Sequence, residues 1–421
     1  MSCFDLIIAG AGASGLMAAL SARRKFPQAK ILLLERQDRP LRKVKAAGNG
    51  RCNLSNKDLS GSHYFSVATS PKQKDKIIKT VFNCFSSADT VKFFNDLGLF
   101  LRTDQAGRLY PYGEQGDLVV ACLLRALAKA EIDLLTGLSL TAIDRQDNFL
   151  ELTLLSGNSS LQSRSETGSL QKKMRTKNLI LACGSTAGGG LGATDLGYRL
   201  SENLGLEVSR LQPALVPLVL SDKDIVKSLS GQRFKGQASL YRDRQFVATS
   251  QGEFLFNKQG LSGIAGMELG RFVQDPDRHR YNLTIDFVPD LSQDDLVDYL
   301  TGLWAGSGTV GRSDLKSLAE AFVKEKIASE LASRSGSIAK LASLLKALKL
   351  DLENSMGSDQ AQVMAGGVCL HQVHLPEFCL KPDPRIYLTG ELLDIDGQSG
   401  GYNLQWAWSS GFLAGLLSKP Y

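Results

Sequence analysis

The feature that most constrains the fold lies at the start of the chain, where a glycine turn joins an apolar strand to an alanine-rich helix. The run Phe4–Ala9 has the pattern of a strand buried on both faces of a parallel sheet. The turn Gly10-x-Gly12-x-x-Gly15 follows it, and the next apolar strand is expected at Lys30–Leu34. Strand, turn, helix and strand together predict a right-handed βαβ unit.

This glycine turn has the composition of a site for the phosphates of a dinucleotide. Gly10 permits the tight turn, Gly12 lets the backbone approach a pyrophosphate, and Gly15 lets the helix and the strand pack closely. Ala13 and Ser14 belong to the first helical turn, whose unpaired N–H groups and positive dipole attract phosphate. All five residues are therefore candidate ligands of a nucleotide.

An acidic residue ends the second strand of the unit. Glu35 lies 20 residues beyond Gly15, where a carboxylate accepts hydrogen bonds from an adenosine ribose. The neighbouring Arg36 is taken as part of the same site. The pattern predicts a dinucleotide-binding domain, but it does not choose between FAD and NAD.

Two later segments bear on that choice. Glycines in the loop Ala46–Asn56 let backbone lie against a planar ligand, although a polar loop held by local Asn and Ser bonds explains the loop equally well. The segment Gly390–Gln405 follows a strand and precedes a helix. The positive end of that helix dipole would favour a reduced flavin, because reduced flavin is anionic. An ordinary capped turn is the alternative. The candidate ligands here and after the strand Leu179–Ala182 are Asn49, Gly50, Arg51, Asn53, Gly184, Gly390, Glu391, Gly401, Tyr402 and Asn403.

These motifs resemble the bacterial FAD-dependent flavoprotein family that includes aminoacetone oxidases and BaiN-type NAD(P)/FAD-dependent oxidoreductases. The resemblance covers nearly the whole chain, and its most specific strings are GNGRCNLSN and GELLDIDGQSGGYNLQWAWSSG. The chain departs from the usual family pattern at Ala47, where a serine is commoner. The resemblance implies non-covalent FAD, with the flavin ring facing a cleft between domains.

The resemblance also implies an architecture and a division of the site. The fold is expected to be α/β, with a Rossmann-type FAD-binding domain on a parallel sheet, an inserted β-barrel-like domain and a small helical domain. The ADP half would be bound by Gly10, Gly12, Gly15 and Glu35. The ribityl chain and the flavin ring would lie near Asn49, Arg51, Asn53, Glu391, Gly401 and Asn403.

Shifts in composition give expected domain boundaries. Residues 1–205 and 360–421 would form a discontinuous FAD-binding domain. Residues 206–290 and about 351–359 are rich in short β-type runs, and 291–350 are mainly helical in pattern. The polar segment Ser156–Gln171 is expected to be a solvated hairpin tip.

Composition argues against several classes of partner. The net charge is +6, and lysine and arginine are scattered, so no nucleic acid is expected to bind. No apolar stretch reaches the roughly 20 residues needed to cross a bilayer, so we expect no membrane association and a cytoplasmic location.

Cysteine and histidine carry little predicted chemistry. The seven cysteines include no CxxC pair, which favours reduced thiols, and an unpaired cysteine such as Cys52 is usually structural although it could be a redox partner of the flavin. His371 and His374 are three residues apart, but no third ligand is evident, so no metal site is expected.

The sequence therefore predicts an FAD-dependent oxidoreductase acting on a small metabolite. It would perform either amine oxidation with oxygen as acceptor or NAD(P)H-linked reduction of a conjugated carbonyl. A flavin-carrying modification or sensing protein without net redox turnover is the alternative. Flavin hydride chemistry needs few protein acids, so no catalytic residue is assigned. The substrate, the redox partner and the oligomeric state stay open.

Overall fold

The computed structural model describes residues 3–156, 171–304 and 310–417. The segment Ser156–Gln171, expected to be a hairpin tip, lies outside the described residues apart from its two ends. The chain forms two compact units. The first contains Met1–Gln212 and Val363–Tyr421, and the second contains Pro213–Gln362. The predicted division into FAD-binding, β-rich and helical domains stays a prediction.

The elements follow in chain order. The β-strands are β1 (Cys3–Ala9), β2 (Ile31–Leu34), β3 (Ser55–Asn56), β4 (Tyr64–Phe65), β5 (Leu101–Thr103), β6 (Arg108–Pro111), β7 (Asp133–Leu135), β8 (Leu138–Arg145), β9 (Leu150–Ser156), β10 (Gln171–Leu181), β11 (Gln212–Ala214), β12 (Leu218–Leu220), β13 (Arg233–Arg242), β14 (Gln245–Phe256), β15 (Gly260–Ser262), β16 (Tyr281–Asp286), β17 (Leu348–Ser355), β18 (Val363–Ala365), β19 (Ile386–Leu388) and β20 (Asp396–Gly397). The α-helices are α1 (Ala13–Lys25), α2 (Arg42–Ala46), α3 (Pro71–Cys84), α4 (Ser87–Asp96), α5 (Gly116–Lys129), α6 (Leu196–Asn203), α7 (Lys223–Leu229), α8 (Ile264–Leu269), α9 (Gln293–Leu303), α10 (Arg312–Glu320), α11 (Glu325–Ser333), α12 (Ile338–Ala347) and α13 (Tyr402–Gly415).

The first unit is built on a sheet with the strand order β7-β2-β1-β10-β9-β8. Strands β7, β2, β1 and β10 run parallel to one another. Strand β9 pairs antiparallel with β10, and β8 pairs antiparallel with β9. All four residues of β2 are buried, as are Leu6, Ile7 and Ile8 of β1. Apolar runs without alternation are typical of parallel strands covered on both faces, which explains why these two segments were readable in the sequence.

Strand β10 links the two ends of the chain. Its first half pairs antiparallel with β9, and its second half pairs parallel with β19, where Leu179 lies opposite Ile386. The C-terminal segment thus joins the sheet that contains the N-terminal strand. Because β1, β10 and β19 are parallel, the loops after their carboxyl ends meet at one edge of the sheet, where ligands bind in folds of this type.

Helix α13 packs against α1 through small residues. A β-carbon added to Gly411 would lie 2.2 Å from the Ser14 carbonyl oxygen, so the two helices approach closely. The two tryptophans of α13 are both buried and hydrogen bonded. The indole N–H of Trp406 donates to the Gly390 carbonyl, and that of Trp408 donates to the Leu54 carbonyl. The helix therefore anchors two of the candidate binding segments.

The second unit contains a closed barrel with the strand order β12-β15-β14-β13-β16-β17. Its neighbouring strands are antiparallel, and β17 alternates buried leucines with exposed polar residues, the period expected of a sheet with one solvated face. Helices α9 to α12 bury leucines and alanines in the same apolar core as the barrel. The predicted fold class, a Rossmann-type unit with an inserted barrel and helices, is confirmed.

Candidate functional site

The acid at the end of β2 holds the glycine turn in place. One carboxylate oxygen of Glu35 accepts the Ala11 N–H at 3.0 Å, and the other accepts the Gln37 N–H at 2.8 Å. A carboxylate has further lone pairs, so these two bonds still leave acceptor capacity for a ribose hydroxyl. Glu35 is thus a structural part of the turn as well as a candidate ligand.

The N-terminus of α1 offers a phosphate-binding arrangement. Gly12 is the N-cap residue, it makes no side-chain capping bond, and the first turn contains no acidic residue. A β-carbon on Gly12 would meet nothing within 4 Å, whereas one on Gly15 would lie 1.9 Å from the Gly10 carbonyl oxygen. Gly15 is therefore required for packing, and Gly12 leaves open space in front of unpaired helix N–H groups.

The C-terminal motif lies directly against this turn. A β-carbon on Gly390 would be 2.8 Å from the Ser14 hydroxyl oxygen. The next residue, Glu391, is paired on both carboxylate oxygens. The Lys43 ammonium donates to one at 3.0 Å, and the Met364 N–H donates to the other at 3.0 Å. Residues almost 380 positions apart therefore form one wall of the site.

The loop Ala46–Asn56 contacts the C-terminal motif at Gly400 and Gly401. Gly401 has φ 97° and approaches the Ser55 carbonyl so closely that a β-carbon would lie 2.4 Å from its oxygen. The side-chain amide of Asn56 donates to the Gly400 carbonyl at 3.2 Å. Asn53 is buried close to Gly401, and its Oδ1 has no hydrogen-bond partner among the described residues. A buried oxygen of this kind suits a donor on a bound ligand.

Tyr402 and Asn403 begin α13 and are held by their surroundings. The Asn403 amide exchanges two hydrogen bonds with the backbone of Gly397, at 2.7 and 2.9 Å. The ring of Tyr402 stacks on His63, with 4.5 Å between the ring centroids. His63 in turn bonds Gln398 at 2.8 Å. The proposed contact of Tyr402 with the ligand stays a prediction.

Other predicted ligands lie in different surroundings. The carbonyl of Gly50 accepts the Gly116 N–H at 2.6 Å, and the exposed Arg51 guanidinium lies over the ring of Tyr110. Asn49 is exposed in this same stretch, with φ 56°. Arg36 donates to the carbonyl of Gly192 at 2.7 Å.

One predicted ligand stands at the end of the sheet. Gly184 follows β10 with φ 70°, and a β-carbon there would meet nothing within 4 Å. It therefore borders open space after the strand that pairs with β1.

Sequence reasoning missed Lys43, His63 and Gln37. Lys43 lies in helix α2, where no local pattern gives its side chain a role. Its partner Glu391 is 348 positions away, so only the fold reveals the pair. His63 has no local pattern that marks it as a partner of Tyr402. Gln37 contributes its backbone N–H, which carries no signal in the residue type.

Two buried groups near the motifs have shifted pKa values. Burial raises the pKa of the Asp394 carboxyl above its usual value, although the Val67 and Ala68 N–H groups and the Ser66 hydroxyl oppose that shift. Burial also raises the pKa of the Cys52 thiol to about 12. Cys52 is therefore a protonated, structural thiol at neutral pH, which argues against a redox role.

A second surface, on the other unit, gathers basic residues. Arginines that are scattered in the sequence come together at one end of the barrel, around the turn between β13 and β14 and the loop before β16. The Asp243 N–H donates to the Arg280 carbonyl, the Arg280 N–H donates to the Asp243 carboxylate, and Phe246 is 61% exposed. We call this set the arginine surface: Arg242, Arg244, Arg278 and Arg280.

The fold and the glycine turn define a Rossmann-type nucleotide-binding protein. Comparison with known families is more specific, because the model of the HI0933-like protein Rossmann domain matches residues 4–417. The chain therefore belongs to this family. It is 30% identical to the 3-dehydro-bile acid delta(4,6)-reductase of Clostridium scindens, over 97% of both chains.

Two further matches extend the comparison. The chain is 24% identical to a ribosomal RNA dihydrouridine synthase of Haemophilus influenzae, over 97% of both chains. Among solved structures it resembles the 3-ketosteroid delta1-dehydrogenase of Sterolibacterium denitrificans, with a TM-score of 0.52, 11% identity and 99% of each chain covered. At this level of identity the last match shows the fold alone.

The cofactor and the class of enzyme predicted from the sequence are confirmed: the chain is an FAD-dependent oxidoreductase. The residues present fit FAD. The open space at Gly12 suits the pyrophosphate. The buried Oδ1 of Asn53, close to Gly401, is an acceptor without a partner among the described residues and suits a donor of the cofactor. None of the described helices has the length and the apolar character that crossing a bilayer requires.

Proposed function

We propose that this enzyme saturates a carbon–carbon double bond conjugated with a carbonyl, using electrons supplied by NAD(P)H. The observation that supports it is the close contact between the glycine turn and the segment Gly390–Asn403, which together form one wall of the site, the joint wall. Relatives that match this chain over nearly its full length carry the names of reductive enzymes. Reduction is thus favoured over amine oxidation. A cytoplasmic location is part of the proposal, because NAD(P)H and reduced thiols are found there.

In this proposal the residues of the chain bind FAD and orient it. The first turn of α1 and Gly12 hold the pyrophosphate, Glu35 holds the ribose, and Asn53 with the N-terminus of α13 holds the flavin end. When bound, FAD would supply the two-electron hydride chemistry of the reduction, and the proton that completes the saturated bond would come from solvent. The site carboxylates Glu35 and Glu391 already accept bonds from backbone or lysine, which makes them positioning groups.

The electron donor is tested by anaerobic reduction of the purified yellow protein. We expect NADH or NADPH to bleach the flavin absorbance, and a conjugated enone such as a 3-keto-4-ene steroid to restore it faster than a saturated ketone does. Bleaching by an amine without nicotinamide, together with peroxide formation in air, would instead support the oxidase. A flavin that no nicotinamide and no amine reduces would support the carrier or sensor alternative.

A second candidate substrate is a uridine in RNA, whose ring also contains a double bond conjugated with a carbonyl. The relative named for ribosomal RNA matches over the full length, and the arginine surface with the exposed ring of Phe246 offers guanidinium groups and an aromatic face to a phosphate backbone and its bases. This candidate departs from the expectation, drawn from scattered basic residues, that no nucleic acid binds.

The two substrates are distinguished by the same reoxidation experiment. Ribosomal RNA transcribed without modifications and the steroid enone are added separately to the reduced protein, and dihydrouridine is measured by mass spectrometry of the digested RNA. Arg244→Glu combined with Arg280→Glu should weaken RNA binding and its salt dependence while leaving enone turnover unchanged. Binding that is identical in this double variant would remove the arginine surface from the argument.

A further inference from the structure

Three potential metal ligands of the first unit come together from two distant segments. Glu207 lies beyond the end of α6, and Cys369 and His371 lie shortly after β18. A carboxylate oxygen of Glu207, the Cys369 sulfur and a ring nitrogen of His371 all lie within 4.8 Å of one another. His371 Nε2 is 3.6 Å from Glu207 Oε2. Sequence spacing could not reveal this group, because Glu207 is 162 positions before Cys369.

The backbone fixes the two segments against each other. The Cys369 N–H donates to the Glu207 carbonyl at 3.1 Å. The side chain of Gln372 accepts the Glu207 N–H and donates to its carbonyl, each at 2.9 Å. Val208 and Val368 form a β-bridge next to these bonds. The positions of the three ligands therefore do not depend on their own side-chain contacts.

We propose that Glu207, Cys369 and His371 bind a zinc ion. Sulfur, imidazole nitrogen and carboxylate oxygen are the donors that Zn²⁺ prefers, and bond lengths of about 2.0–2.3 Å in a tetrahedral site place ligand atoms about 3.3–3.8 Å apart. The pair of His371 and Glu207 already has this separation, and the Cys369 sulfur lies within 4.8 Å of a ligand atom of each. Water supplies the fourth ligand.

Binding exchanges a proton for the ion. The buried Cys369 side chain is a free thiol. On binding, the S–H bond breaks, its proton passes to solvent and the sulfur bonds zinc as a thiolate. His371 binds as neutral imidazole and Glu207 as carboxylate, so no oxidation or reduction occurs.

The position of this site in the chain would let a bound ion stabilise the fold. Glu207 lies five residues before the point where the chain leaves the first unit, and Cys369 lies six residues after the point where it returns. An ion bound here would connect the two crossings and close a loop that contains the whole second unit. Closing a long loop removes entropy from the unfolded chain and stabilises the folded one.

The test is calorimetric titration of Zn²⁺ into the FAD-loaded protein after treatment with a chelator. We expect one ion per chain and a rise in Tm on binding. His371→Ala and Glu207→Gln, which alter exposed side chains, should each weaken the affinity by at least about 10-fold, and Cys369→Ser by about 100-fold. His374→Ala and Cys379→Ser change the same residue types outside the group, and they should bind as the unaltered chain does.

Two results would overturn the proposal. The first is absence of zinc binding by the unaltered chain. The second is equal affinity in His371→Ala, Glu207→Gln and the His374→Ala control, which would place the ion elsewhere. The flavin absorbance of each variant reports whether the first unit is folded, so a variant that loses FAD is set aside in favour of the other two. The test does not depend on the proposed reaction, since it measures no turnover.

Discussion

At the scale of single residues, Gly12 is the position where space matters most. Its backbone angles, φ −84° and ψ −165°, are open to any residue, and a β-carbon there meets nothing within 4 Å. We expect Gly12→Val to fold and yet to bind FAD at least about 100-fold more weakly, because its methyl groups occupy the pyrophosphate position. FAD titration by fluorescence measures this, with Gly357→Val, at another open position, as the control. Unchanged affinity in Gly12→Val would remove the pyrophosphate from this turn.

Lys43 gives a second prediction at this scale. Removing its charge in Lys43→Met leaves the Glu391 carboxylate without its cation. If Glu391 lies near the flavin, this negative charge disfavours the reduced, anionic ring, so the midpoint potential should fall by roughly 10–30 mV. Spectroelectrochemical titration measures the shift. Lys45→Met removes a charge from the same helix, where the lysine pairs with Asp117, and should leave the potential unchanged. Equal potentials in both variants would place Glu391 away from the ring.

Single residues also show which parts of the site could be predicted from the sequence. Gly12 and Glu35 were predicted to be ligands because a local pattern, a strand followed by a glycine turn and a helix, determines their geometry. Lys43 and Glu207 were not, because each acquires its role from a partner more than 160 positions away. His371 was dismissed as a ligand for the same reason. One sequence contains no information about such long-range pairs.

At the scale of elements, the contact between α1 and α13 joins the packing of the core to the binding site. Gly411→Leu would place a side chain against the Ser14 carbonyl, and Ser14 belongs to the glycine turn. We expect a loss of about 2–3 kcal/mol in the free energy of unfolding, together with weaker FAD binding. Urea unfolding and FAD titration measure both. Gly302→Leu, at an open position of α9, should change neither; a stable Gly411→Leu protein would show that the helices can separate.

The loop before β19 carries a pH-dependent contribution to stability. Asp383 is buried and bonds the Arg385 guanidinium at 2.8 and 2.9 Å. Burial alone would raise the pKa of this carboxyl, but the bonds to Arg385 outweigh it and hold the pKa below the ordinary 3.8. The contribution is therefore complete above about pH 4 and disappears as the pH falls through the lowered value.

Asp383→Asn tests this contribution. At pH 7 we expect the variant to be about 2 kcal/mol less stable than the unaltered chain, because a charged hydrogen-bonded pair is lost. The difference should shrink as the pH falls below 4, where the unaltered chain loses the same interaction. Urea unfolding at several pH values gives both curves. A difference that stays constant across this range would assign the effect to packing instead of charge.

At the scale of the whole molecule, the predicted FAD site draws on both ends of the chain. We expect FAD to slow hydrogen exchange around Gly12, in the loop Ala46–Asn56 and at Gly390–Asn403 together. The barrel strands serve as the internal control and should change little. A ligand at 100 times its Kd stabilises the folded state by about 2.7 kcal/mol, enough to slow exchange measurably. Protection confined to the N-terminal turn would contradict the joint wall.

The fold class was predictable at this scale, whereas a barrel was expected only from the family resemblance. Buried apolar runs such as β1 and β2 identify a parallel sheet because no other element requires them. The barrel strands β13, β16 and β17 alternate in polarity, which fits an open sheet or a sandwich equally well. Whether β12 meets β17 is decided by pairings over more than 100 residues, and these leave no local pattern.

The pairing of β10 with β19 has a consequence for how the protein is made. Translation releases residues 213–362 as one continuous stretch, so the barrel unit has all its residues while the first unit still lacks β19 and α13. Domains fold as they emerge from the ribosome. The nucleotide-binding unit therefore remains incomplete until β19 and α13 have been synthesised, however early its first glycines emerge.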